Sequence, residues 1–185
     1  MKVIGIVGMP GSGKGEFSSV AEEQNIPVVV MGDAIRKEVS RQGLPPTDDS
    51  MGKVAKTLRN EFGMAAIAHA CIPLIEEQAD KENKVILVDG IRGDAEVREF
   101  MEHFPGFVLI FIDAPLEIRF KRLSERGRSD DLKNIEELII RDERECSFGL
   151  LKAIKMATII ISNKGSREDF RQEVYSCLNG LSETT

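Results

Sequence analysis

Apolar positions gather in five short runs rich in β-branched residues, Val3–Val7, Pro27–Met31, Lys84–Val88, Phe107–Ile112 and Thr158–Ile161. Runs of this length without polar alternation suit strands buried on both faces. Helix-length segments lie between them, long enough for right-handed crossovers. The pattern predicts an α/β fold with a doubly wound, five-stranded parallel sheet between two layers of helices. An insertion over residues 32–83, between the second and third strands, reads as helical, with the turn cluster GLPPTDDS at Gly43–Ser50 inside it. Within its apolar stretch AAIAHACIPLI, Pro73 is expected to end or kink a helix, and His69 to pack rather than react. Asn134 with Glu137, and Ser166 with Asp169, have the spacing of helix-capping boxes.

The length of 185 residues fits one domain with its own core. Adding the 16 glycines to the 42% of hydrophobic residues brings the apolar share to about half, as in globular chains and above disordered ones. The 25 basic and 31 acidic residues leave a net charge of −6, so no overall positive field holds a nucleic acid or a lipid surface. The absence of Trp and the single Tyr leave few platforms for stacking bases, which further disfavours a nucleic-acid partner. Cys71, Cys146 and Cys177 form no CxxC pair and only His69 and His103 accompany them, so neither a zinc site nor a disulfide framework is expected. The apolar run inside MKVIGIVGMP is shorter than the roughly 7 to 15 residues of a signal peptide or the about 20 of a membrane span. A cytoplasmic protein with reduced thiols is the expectation.

Chemistry first enters at Gly8–Gly15, GMPGSGKG, which follows the first strand and precedes a helix as a P-loop does. Glycines let successive N–H groups converge on phosphate oxygens, and the helix N-terminus adds its partial positive charge. With glycine at about 7% of residues, four at these places arise by chance about once in 40,000 start positions. Gly8, Met9, Pro10, Gly11, Ser12, Gly13, Lys14, Gly15 and Glu16 are therefore candidate nucleotide-binding residues, with Lys14 the cation for the β and γ phosphates. Gly15 replaces the Ser or Thr that would offer Mg²⁺ a hydroxyl, and Glu16 places a carboxylate at the helix start.

Two further motifs end strands: GDAIR at Gly32–Arg36 and DGIR at Asp89–Arg92. Ligands of open α/β sheets bind at the carboxyl ends of strands, so Asp33, Arg36, Asp89 and Arg92 are candidates to meet the phosphates. Asp89 is the metal candidate, because an acid ending a strand beside a P-loop is where Mg²⁺ is held. Asp33 also suits a helix cap and Arg36 a solvated side chain. Six of the thirteen arginines fall between Arg119 and Arg144. On the helix after Pro115, Leu116, Phe120 and Leu123 form the expected buried stripe, and Arg119, Arg122 and Arg126 share another face. That row reads either as a ligand-facing set or as a solvated helix face.

GxPGxGKG resembles the loop of adenylate kinases and other nucleoside monophosphate kinases. GDAIR is similar to their GDxLR, and DGIR to their DGFPR shortened by one residue. RSDDLKNIEELIIRDER resembles their lid, and ATIIISNKGSREDF is similar to the adenine-bordering stretch of dephospho-CoA kinases. The likeness runs from about Val3 to Phe170 and is greatest to the archaeal adenylate-kinase-related, dephospho-CoA-kinase-like P-loop proteins. It implies a three-layer P-loop NTPase fold with a helical acceptor-binding insertion at 32–83 and a short lid at 126–146. It also implies ATP with Mg²⁺, and transfer of the γ-phosphoryl group to a nucleotide-like small molecule. Under it Arg122 packs on adenine, Arg126 and Arg141 meet the transferring group, and Arg36 and Arg92 hold an acceptor phosphate. Asp33 joins Lys14, Arg92, Arg126 and Arg141 as a candidate for the transfer itself, and Asn163 either borders the base or makes a plain turn. The alternative function is a slow, nucleotide-gated ATPase whose output a protein partner reads.

Overall fold

The computed structural model describes residues 1–79, 81, 83–125 and 133–183. Strands β1 (Lys2–Val7), β2 (Val28–Val30), β3 (Val85–Asp89), β4 (Val108–Asp113) and β5 (Ile159–Ser162) form one sheet in the order β2-β3-β1-β4-β5. Every pairing is parallel. The helices are α1 (Lys14–Glu23), α2 (Met31–Arg41), α3 (Asp48–Phe62), α4 (Ala66–Ala79), α5 (Asp94–His103), α6 (Leu116–Ser124), α7 (Ile135–Ser147), α8 (Leu150–Ile154) and α9 (Arg167–Glu183). From β1 the chain goes to the edge strand β2, returns to β3 between the two, then crosses to β4 and β5 on the other side of β1. That reversal opens a crevice at the carboxyl end of β1, where ligands of such sheets sit.

The five strands lie within a residue or two of the apolar runs, because the alternation of faces along each strand fills two cores at once. Val3, Val7, Ile86, Val88 and Leu109 face α4, α5 and α8, among them Cys71, Ile75 and Phe100. Ile4, Ile6, Leu87, Ile110 and Ile112 face Phe17 and Val20 of α1 and Phe170 and Val174 of α9. Helix α4 does not end at Pro73 but runs through it. A proline inside a helix costs about 3 kcal/mol through the missing hydrogen bond and the clash of its ring with the preceding turn, and burial of Ile67, Cys71, Ile72 and Ile75 on both sides of the proline offsets it. His69 is not packed; its side chain is 54% exposed, with Nδ1 3.1 Å from Oε1 of Glu99. Both side-chain caps form: Asn134 Oδ1 accepts from the Glu137 N–H at 2.9 Å, and Ser166 Oγ from that of Asp169 at 3.1 Å; the Ser166 N–H completes the box on Asp169 Oδ2, whereas Glu137 Oε2 accepts from the Lys133 N–H instead. No helix among the described residues is long and apolar enough to cross a membrane.

Candidate nucleotide and phosphoryl-transfer site

The turn after β1 owes its shape to glycine. Gly13 has φ 113°, and a β-carbon there would lie 2.3 Å from Nδ2 of Asn163, so both backbone and space require glycine. That close approach lets Asn163 Nδ2 donate to the Ser12 carbonyl at 2.8 Å, while Asn163 Oδ1 accepts from Arg122 Nη2 at 2.8 Å. Asn163, buried at the end of β5, thereby ties the loop to α6. Lys14 Nζ donates to the Gly8 carbonyl at 2.6 Å. Burial pulls the Lys14 pKa below its ordinary value, against the opposing pull of Asp89 and Glu145. Ser12 Oγ and Arg122 Nη1 are buried without a hydrogen-bond partner among the described residues. Buried polar groups are almost always bonded in proteins, so both suit a bound polar ligand.

Glu16 is paired with α9. Its carboxylate accepts from Arg167 Nε at 2.9 Å and from Arg171, which also reaches Glu23. Two guanidiniums from α9 therefore neutralise the charge that stands at the start of α1. Asp89 closes β3 in register with Ile6 and Val30, and its Oδ2 accepts from Ser18 Oγ at 3.1 Å. Mg²⁺ keeps several waters and takes one or two carboxylates, so Asp89 with the Ser18 hydroxyl fits such an ion without a hydroxyl at position 15.

The DGIR loop is fastened from three sides. The Arg92 N–H donates to Glu96 Oε2 at 2.7 Å, Arg59 of α3 reaches Glu96 Oε1 at 3.4 Å, and the Arg59 guanidinium lies 5.2 Å above the Phe148 ring. Burial raises the Glu96 pKa, opposed by those same donors. The Arg92 side chain runs to α7, where Nη1 donates to Glu145 Oε1 at 3.0 Å and Oε2 at 3.2 Å. A cleft of about 1280 Å³ gathers the P-loop, Asp89, Arg92, Arg122, Arg141, Glu145 and Asn163 along its wall. Asp33 and Arg36 do not line it; they pair with each other on α2, 49% and 56% exposed. Met9 also stays off the wall and packs against the core. Arg126 lies outside the described residues, as does the first part of the expected lid.

Arg119 departs from the expected arginine row. It is the buried one, 5% exposed against 3% for Leu123, whereas Leu116 and Phe120 are only partly covered. Its guanidinium meets Asp142 at 2.9 and 2.7 Å and the Pro10 carbonyl at 3.0 Å. A fully paired arginine braces the loop against α7 instead of facing a ligand.

Residues 7–139 match the family profile described as an AAA domain. A UPF0200 protein of Methanoregula boonei is 52% identical over 181 residues, covering 98% of each chain. The chain belongs to the UPF0200 family. Its UPF0200 fold is similar to that of the dephospho-CoA kinase from Campylobacter jejuni, with TM-score 0.65 and 20% identity over 100% of this chain and 99% of that one. It is also similar to the shikimate kinase from Aquifex aeolicus, with TM-score 0.52 and 20% identity over 98% of each. At such identities the likeness is one of fold, and the fold is that of P-loop kinases.

Sequence reasoning missed Ser18, Glu96 and Glu145 in this UPF0200 chain. For two of them a signal existed: Ser18 follows Lys14, and Glu145 follows Arg141, by four residues, one turn along the same helix face. Glu96 gave none, since its partners Arg59 and Arg92 come from other elements.

Proposed function

We propose that the protein is an ATP-dependent phosphotransferase that moves the γ-phosphoryl group to a nucleotide-like small molecule. The observation that carries this reading is a single cleft joining the P-loop and Lys14 to Asp89, Arg92, Arg122 and Arg141. Loop amides and Lys14 hold the triphosphate, and Arg122 and Asn163 border the base. Mg²⁺, held by Asp89 and water, would offset phosphate charge. Arg141 faces the transferring group and Arg92 the acceptor side. In phosphoryl transfer, positioning and charge stabilisation supply most of the catalysis, and these residues offer both.

ATP turnover with and without nucleotide and hydroxyl acceptors tests it. A transferase is stimulated by one acceptor, whereas a nucleotide-gated assembly factor is indifferent to all. Lys14→Ala is expected to abolish turnover and to weaken ATP binding more than ADP binding, since the lysine serves the terminal phosphates. Equal ATP affinity for mutant and wild type by calorimetry refutes the assignment of the loop.

A further inference from the structure

The charges on the acceptor side do not suit a phosphate. Of the two arginines expected to hold one, Arg36 is paired with Asp33 away from the cleft, and Arg92 carries both oxygens of Glu145. An acceptor phosphate brought to Arg92 would meet the Glu145 carboxylate at the same guanidinium. Like charges at contact distance in a partly buried site oppose each other strongly. A neutral hydroxyl meets no such opposition.

The other carboxylates on the cleft wall have different ties or places. Glu16 is held by Arg167 and Arg171, Asp89 bonds Ser18 at the metal position, and Glu125 follows α6 on the exposed side. Glu145 is 8% exposed and lines the same cleft as Lys14. Arg92 holds both of its oxygens, the exposed Arg144 Nη2 lies 3.7 Å from Oε1, and α7 carries it one turn from Arg141. It is therefore a carboxylate held at the acceptor end of the site that also holds the triphosphate lysine.

Resting on the phosphotransferase reading, we propose that Glu145 is the general base of the transfer and that the acceptor presents a hydroxyl, not a phosphate. The acceptor oxygen attacks the γ-phosphorus, forming a new P–O bond as the bond from that phosphorus to the β,γ-bridging oxygen breaks. The hydroxyl proton passes to Glu145, and the electron pair of the broken bond leaves on ADP, where Lys14 balances the charge. Arg92 holds the carboxylate in place through this exchange.

Water is itself a hydroxyl acceptor, so the test does not wait for the natural substrate. Wild type and Glu145→Gln are given γ-labelled ATP and Mg²⁺ with water alone, with nucleosides, and with nucleoside monophosphates. Calorimetry on each protein reads ATP and monophosphate binding. The expected result is a loss of about a hundredfold or more in kcat for water and nucleoside acceptors, within the usual range for a general base, with ATP affinity unchanged. If Glu145 merely shields Arg92 from an acceptor phosphate, the sign reverses: Glu145→Gln binds monophosphates more tightly and makes nucleoside diphosphates faster, and the proposal is overturned. Turnover of the Gln variant within tenfold of wild type overturns it too. Should Glu145→Gln fail to fold, Glu145→Asp decides, because it keeps the charge on Arg92 and withdraws the base by one methylene. More than a tenfold fall in its kcat at wild-type ATP affinity supports the proposal, and a wild-type rate overturns it. Absence of any ATP turnover by the wild type would bring down the phosphotransferase reading, and this assignment with it; the other adverse outcomes overturn this assignment and leave that reading standing.

Discussion

Arg119 and Arg122 lie three residues apart on α6 and differ in what surrounds their guanidiniums. Arg119 is sealed between Asp142 and the Pro10 carbonyl, with side-chain exposures of 6% for the arginine and 15% for the aspartate. Removing one partner of a buried pair leaves the other charge uncompensated, which costs about 3 to 5 kcal/mol. Arg119→Ala is thus expected to lower the urea midpoint sharply and to carry off nucleotide binding only as the loop loosens. Arg122 keeps Nη1 unbonded at the cleft, and burial lowers its pKa. Its replacement by Ala is expected to raise the KM for ATP with a lesser change in kcat, as loss of a base-packing group does. Matching stability in both variants, or matching kinetics, would show that burial does not divide their roles.

Among the elements, α1 and α9 form the joint that a P-loop sequence does not announce. Glu16 stands at the start of α1, and Arg167 and Arg171 project from α9, 151 and 155 residues away in the chain. The loop motif was legible because its glycines and lysine answer to local backbone geometry, and the strands were legible because burial on both faces leaves an apolar run. Partners so far apart are chosen by the packing of Phe17 and Val20 against Phe170 and Val174, which periodicity cannot supply. The same limit hid the Arg92–Glu145 and Arg119–Asp142 pairs. Burial raises the Glu16 pKa, but hydrogen bonds from Arg171 and Arg167 outweigh it and bring it below the ordinary 4.5. The unfolded chain then binds more protons, so the stability from this joint is present above about pH 4.5 and is lost as the pH falls through the folded value. Thermal melts should therefore show Glu16→Thr trailing wild type most above that pH, with the gap closing below it. A gap that ignores pH would mean the carboxylate contributes no charge pairing.

For the molecule as a whole, the sequence pattern marked residues 32–83 as an insertion, yet α4 shares its core with the sheet. Ile67, Cys71 and Ile75 of that helix pack with Val3, Ile86 and Val88, so opening the insertion far enough to wet Cys71 means breaking the core of the domain. Cys71 is fully covered, and burial pushes its thiol from the ordinary 9.0 up to about 12, with Glu96 and Asp33 adding to the shift. Between those two values the unfolded chain releases a proton that the folded one keeps. Fewer protons on the unfolded state mean that stability falls as the pH rises through this window. Urea unfolding from pH 9 upward should accordingly give a steeper decline for wild type than for Cys71→Ala. In thiol labelling at neutral pH, Cys71 should react only at the rate of global unfolding, after Cys146 and Cys177, which are partly exposed. Rapid labelling of Cys71 in the native state would mean that α4 leaves the sheet on its own, and the insertion would then be a separable unit instead of part of one core.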